Sequence, residues 1–111
     1  MKPNNSAYLL HIRDAIKEIV NYSKNATKKR FLKSPWDQAA VIRYLEIIGE
    51  AASNISNDYK KLNSEIPWRK ISGFRNVLVH EYFGVDLNLV WQIIKEDIPE
   101  LKENINKLVN K

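Results

Sequence analysis

Cysteine is absent from this chain of 111 residues, which excludes disulfides and thiolate chemistry and agrees with a cytoplasmic location. No apolar run approaches the roughly 20 residues that span a bilayer, so no membrane association is expected. The polar start Lys2-Pro3-Asn4-Asn5-Ser6 leads into an amphipathic segment, so no secretory signal is expected either. Strand-type alternation, internal repeats and low-complexity tracts are lacking. Glycine and proline are scarce, at three and four residues, and most of them read as punctuation between or within helices.

What remains is one domain, 1–111, large enough for a single core. Its charge is uneven. Residues 1–35 hold eight Lys or Arg against two acids, and the rest holds ten against eleven, so the net charge of +5 sits in the first third. Lys24, Lys28, Lys29, Arg30 and Lys33 form its densest part. Such a run suits a solvated loop or a nucleic-acid backbone.

Four amphipathic segments are legible. Leu9, Ile12, Ile16 and Ile19, with Ala15 and Val20, predict a first helix from a Ser6 cap to about Ser23. His11 lies off that stripe and reads as a solvated surface histidine. Lys24 to Lys33 lacks periodicity and reads as a loop or a frayed continuation. Ser34-Pro35-Trp36-Asp37 marks the next start, with a capping hydroxyl, a proline in the first turn and an acid where the helix dipole favours one.

That second segment should end near Ile55. It carries two stripes, one of Val41, Leu45, Ile48, Ala52 and Ile55 and the other of Ala40, Tyr44, Ile47 and Ala51, more than one partner helix needs. A second subunit is the expected further partner. Gly49 implies close approach by another helix. Arg43, Glu46 and Glu50 share a side and read as an intrahelical ion-pair ladder. No histidine accompanies the glutamates in a metal-like pattern, so neither metal nor other cofactor is expected.

Asn57 to Glu65 reads as a loop before a helix that starts at Ile66-Pro67-Trp68 and ends near Gly84, with Gly73 marking a bend or close packing. Asp86 should cap the last helix, with Val85 and Val90 as a hydrophobic staple. Leu87, Trp91, Ile94, Ile98, Leu101, Ile105 and Leu108 form its seam. Because the seam keeps its phase through Pro99, one kinked helix is expected, with Asp97 as a local cap. The fold class is therefore all-α, an antiparallel four-helix up-and-down bundle, or five helices if the kink is counted as a break.

Within Gly73 to Gly84, polar Arg75, Asn76, His80 and Tyr82 interrupt an apolar segment, where burial would be costly without partners. On a regular helix, at about 100° per residue, His80 lies about 140° round from Arg75. Either the helix loosens near Gly84 or two copies meet across a two-fold homodimer, which is the reading favoured. Structural roles are also open to these residues: Arg75 could pair with Glu50 or Glu81, and Tyr82 could simply pack.

The run Arg75-Asn76-x-x-x-His80-x-Tyr82 resembles the R-x-x-x-x-H-x-Y form of the HEPN superfamily signature, found in HepT-type toxins paired with minimal nucleotidyltransferase antitoxins. Arg43-Tyr44-Leu45-Glu46-Ile47-Ile48-Gly49-Glu50-Ala51 resembles that family's helix-two pattern. Ile66-Pro67-Trp68, Val85-Asp86 and Val90-Trp91 follow in matching order. The resemblance implies a HEPN-like bundle and a metal-independent endoribonuclease toxin of a type VII-like pair. It implies Arg75 and His80 as catalytic residues, and silencing by AMP transfer to Tyr82 from the partner nucleotidyltransferase. Asn76 can orient His80 or hold phosphate, while Lys24, Lys28, Lys29, Arg30 and Lys33 would meet the RNA backbone. A different class stays open, in which the chain is a non-catalytic HEPN partner or substrate-binding subunit of a nucleotidyltransferase.

Overall fold

In a computed structural model, residues 4–79 and 86–110 are described, with the backbone alone for 76–79. Among the described residues there are seven α-helices and no strand: α1 Asn5–Asn25, α2 Lys28–Lys33, α3 Pro35–Asn54, α4 Asn57–Leu62, α5 Trp68–Val79, α6 Leu87–Gln92 and α7 Ile98–Val109. The all-α bundle expected from periodicity is the fold that forms. The expected end near Gly84, the Val85 side of the staple and the placement of His80, Glu81 and Tyr82 lie outside the described residues.

Helix α3 is the centre of the molecule, with α1 against one side and α5 against another, while α7 packs on α1. Contacts at both ends of α1 and α3 show that they run antiparallel. Asn5 and Ser56 are hydrogen-bonded at one end, and Tyr22 and Asp37 at the other. Val41, Leu45, Ile48, Ala52 and Ile55 are all buried, with Ile12, Ile16, Ile19, Ile71, Phe74, Ile94, Ile98, Leu101 and Ile105 around them. On the second α3 stripe Ala51 is buried, Tyr44 and Ile47 are half-buried, and Ala40 is exposed. Two neighbours in the same chain thus account for most of the width of the apolar surface, so that width does not by itself report a subunit contact.

Two segments read as loops are helices. Thr27 caps α2, its hydroxyl accepting from the Arg30 amide at 3.1 Å, and fully buried Phe31 anchors it. Ser56 caps α4 in the same way, accepting from the Tyr59 amide at 3.3 Å. Each is too short to display a period of 3.6, and its signal lies in the cap rather than the stripe. The start of α1 also differs, since Asn4, not Ser6, accepts from the Ala7 amide at 3.1 Å. The Ser34 cap of α3 and the Asp86 cap of α6 are as expected.

The kink expected at Pro99 takes another form. Residues Ile93–Asp97 form a π-helical turn between α6 and α7, with the Ile98 amide donating to the Ile93 carbonyl. A proline ring in a regular helix collides with the carbonyl four residues back, here that of Lys95. A wider turn shifts the carbonyls out of register and relieves that collision while the apolar seam continues. Asp97 makes no capping bond. It accepts from Lys70 Nζ of α5 at 2.9 Å, an interaction that raises the Lys70 pKa.

At the junction of α1, α2 and α3, Tyr22 donates its hydroxyl to Asp37 Oδ2 at 2.9 Å, and Arg30 Nε reaches the same oxygen at 3.2 Å. Burial, then the bond to the carboxylate, pushes Tyr22 up to about 12. That bond is also the main reason Asp37 titrates below its ordinary value. The two shifts act at opposite ends of the pH scale. Tyr22's contribution to stability is complete below pH 10.0 and is lost as pH rises toward about 12. Asp37's contribution is complete above pH 3.8 and is lost as pH falls through its depressed value. Tyr22→Phe is expected to remove the alkaline loss and to move the Asp37 titration upward. NMR titration of that carboxylate is the check, and an unchanged Asp37 curve would rule the bond out as its cause.

Candidate functional site

The packing of α3 on α5 sets the position of Arg75. Gly49 is buried in α3, and a Cβ built on it would stand 3.0 Å from both Arg75 Cβ and the Arg75 backbone nitrogen. The close approach expected at Gly49 is therefore made within the chain, and it falls on the residue that heads the motif. Gly73 does not pack closely, since a Cβ there meets nothing within 4 Å among the described residues.

From this contact the Arg75 side chain reaches out to Glu50, with Nη1 donating to Oε2 at 2.7 Å. The two side chains are 41% and 60% exposed, so solvent screens the pair and its contribution to stability is about 0.2–1 kcal/mol. Glu50 pairs across helices rather than along its own, which corrects the expected ladder with Arg43 and Glu46. Of the structural roles open to Arg75, pairing with Glu50 is the one observed.

Around the pair lies an open groove of about 370 Å³ between α1, α3 and α5. Arg43, Glu46 and Ile47 line it from α3 and Arg75 from α5. Its remaining wall comes from α1, whose Tyr8 and His11 stand edge to face with ring centroids 6.4 Å apart. His11 is exposed, as the sequence suggests, but it shares a groove with Arg75. Periodicity could not reveal this, because it depends on which face of α1 rests on α3. Two guanidinium groups that can meet phosphate oxygens and an imidazole thus line one surface.

Asn76 follows Arg75 on the α5 backbone. His80 and Tyr82 fall outside the described residues. The five cations of the basic run are not one cluster. Lys24 faces a groove between α1 and α7, and Lys28 one beside α6. Arg30 is drawn to Asp37, while Lys29 and Lys33 project from α2 into solvent.

Residues 12–108 match the family model described as ribonuclease HepT-like. A probable ribonuclease HepT of Thermococcus cleftensis is 47% identical over 108 residues, which cover 97% of this chain and 98% of that protein. A putative RNase of Methanocaldococcus jannaschii is 38% identical, covering 89% of this chain and 91% of its own length. Another protein of that organism, a gamma-glutamylcyclotransferase and putative RNase, is 42% identical over 98% of this chain, which spans only 49% of it. No solved structure matches the chain. Among the described residues no helix is long and apolar enough to cross a membrane.

Proposed function

The chain belongs to the HepT-like ribonuclease family, and from that premise we propose that it is a metal-independent endoribonuclease toxin acting on cytoplasmic RNA through Arg75 and His80. The observation that carries this reading is the way Arg75 is held. Its backbone is fixed by the Gly49 contact, and its guanidinium rests on an exposed carboxylate at the edge of a groove. An exposed ion pair is weak enough for an RNA phosphate to displace Glu50, while Glu50 keeps the guanidinium aimed in the absence of substrate.

Cleavage then needs three things. A base removes the proton of the ribose 2′-hydroxyl as its oxygen attacks phosphorus, the charge on the phosphorane oxygens is stabilised, and an acid protonates the departing 5′-oxygen. His80 transfers protons, Arg75 holds the phosphoryl oxygens, and Asn76 orients His80 or binds phosphate. Two chains related by a two-fold axis would supply two His80 imidazoles, one as base and one as acid. The products carry a 2′,3′-cyclic phosphate and a free 5′-hydroxyl.

Control rests on Tyr82. In the proposed pairing with a minimal nucleotidyltransferase antitoxin, the Tyr82 phenol oxygen attacks the α-phosphorus of ATP. Pyrophosphate leaves, the phenolic proton passes to solvent, and AMP remains on Tyr82 as a bulky anion that would repel RNA phosphates.

Purified protein incubated with RNA in chelator is expected to give those two end groups. Absence of cleavage, or cleavage only when a divalent metal is added, would overturn the mechanism. Tyr82→Phe should cleave RNA yet gain no AMP when incubated with the nucleotidyltransferase and ATP. Intact-mass measurement reads this directly, and an adduct mapped to Tyr8, Tyr22, Tyr44 or Tyr59 would refute the assignment.

A further inference from the structure

Trp36 is 87% exposed. The other two tryptophans are used inside the molecule, Trp68 being buried with its indole N–H donated to the Asn63 carbonyl, and Trp91 packed against Phe31. A tryptophan left in water forgoes more apolar burial than almost any other side chain, so its surroundings matter. Trp36 stands in the first turn of α3, just after α2. From Ile19 through Trp36 the chain holds five Lys or Arg and no acid.

Helix geometry orients the cations. Phe31 is fully buried, and on a helix Lys29 and Lys33 both lie roughly 160° from it, so they form the outward ridge of α2. Buried Phe31 and two polar contacts tie the ridge to α3. Gln38 Nε2 donates to the Phe31 carbonyl at 2.9 Å, and Arg30 is held by Asp37 at 3.2 Å.

Helix geometry also connects Trp36 to the site. At about 100° per residue, Trp36, Ala40, Arg43, Ile47, Glu50 and Asn54 fall within an arc of about 80° on α3. The last four line the groove that holds Arg75. Trp36 therefore stands on the same face as the groove, about 21 Å from Glu50 along the axis, with Arg43 between them and exposed Ala40 leaving the intervening surface low.

We infer that Trp36, with Lys29 and Lys33, is a docking platform for the single-stranded part of the RNA whose phosphate enters the Arg75 groove. A base stacks on the indole, and neighbouring phosphates lie against the two ammonium groups. Stacking on an aromatic face accepts any base, so the platform adds affinity and direction rather than sequence preference. The assignment rests on RNA being the substrate, as proposed above.

The test uses a labelled 2′-O-methyl oligoribonucleotide of about 12 nucleotides, within the range that a small single-strand-binding domain covers, which cannot be cleaved for want of a 2′-hydroxyl. Fluorescence anisotropy with the full chain is expected to show about tenfold weaker binding by Trp36→Ala and near wild-type binding by Trp36→Tyr. Lys29→Gln with Lys33→Gln should flatten the dependence of log affinity on log salt by about 1.4, at ~0.7 per phosphate contact. Wild-type affinity in Trp36→Ala, or a salt dependence unmoved by the lysine pair, would overturn the proposal. So would a changed sedimentation mass for Trp36→Ala, which would make this face a subunit contact. The two readings fail separately. If the wild type does not cleave RNA but its binding of the methylated probe needs Trp36, the nuclease mechanism falls and the platform stands. If it cleaves RNA and Trp36→Ala binds like wild type, the platform falls alone.

Discussion

Arg75→Ala and His80→Ala are each expected to lower the rate of RNA cleavage by at least about a hundredfold, the order lost when one transition-state donor or proton-transfer group is removed. For Arg75 the loss should lie above that floor, because deletion of the guanidinium leaves Glu50 unpaired at the place where a phosphate must sit, and attraction becomes repulsion. Arg75→Lys should fall between, keeping the charge but losing the forked donor that matches two phosphoryl oxygens. Folding should survive in the arginine variants, since the Arg75–Glu50 pair is largely solvated. Melting curves alongside cleavage rates separate a lost site from a lost fold. Undiminished cleavage by both alanine variants would sink the assignment. Mixed dimers of the two variants give a further reading: recovered activity would mean that each site draws on both chains.

Gly49→Ala and Gly73→Ala should act in opposite directions. In an exposed helix interior, replacing Gly by Ala stabilises by about 0.5–1 kcal/mol, because Gly loses more backbone freedom on folding. Gly73 lies in α5 with nothing within 4 Å of its would-be Cβ among the described residues, so the variant should gain about that amount and melt a few degrees higher. At Gly49 a Cβ presses at 3.0 Å on a backbone nitrogen of α5, an atom that cannot swing aside as a side-chain end could. Overpacking of this kind costs about 1–3 kcal/mol, enough to outweigh the propensity gain. Gly49→Ala should melt lower, Gly49→Val lower still, and both should lose cleavage along with stability because α5 carries Arg75. A higher melting temperature for Gly49→Ala would show that the two helices have room to part.

How far the sequence could be read depended on the length over which each signal accumulates. The stripes of α1 and α3 repeat over several turns, and Leu9, Ile12, Ile16 and Val41, Leu45, Ile48 are buried as their spacing requires. Helices α2 and α4 are six residues each, under two turns, and only Thr27 and Ser56 betray them. The π turn was illegible because the seam through Ile94, Ile98 and Leu101 keeps its spacing whether or not one hydrogen bond widens. Arg75 could be singled out from local chemistry, since a charge among Phe74, Val77 and Leu78 calls for a reason. Its link to Glu50 and its shared groove with His11 depend on how three helices meet, which local spacing does not encode.

The polar clasp at the foot of the bundle ties the start of the chain to the helix that carries Arg75. Asn5 exchanges two hydrogen bonds with Ser56, whose hydroxyl caps α4. The Asn63 amide grips the Tyr59 carbonyl, and the Asn63 carbonyl receives the indole of Trp68, the first residue of α5. Fraying of α1 at its first turn would release Ser56, and the later links are expected to loosen with it. The end of a helix ordinarily opens alone and harmlessly. Here the shared bonds should carry that opening through α4 to the start of α5, and faster solvent exchange at the Trp68 indole in Asn5→Ala is the expected sign, more than sixty residues along the chain.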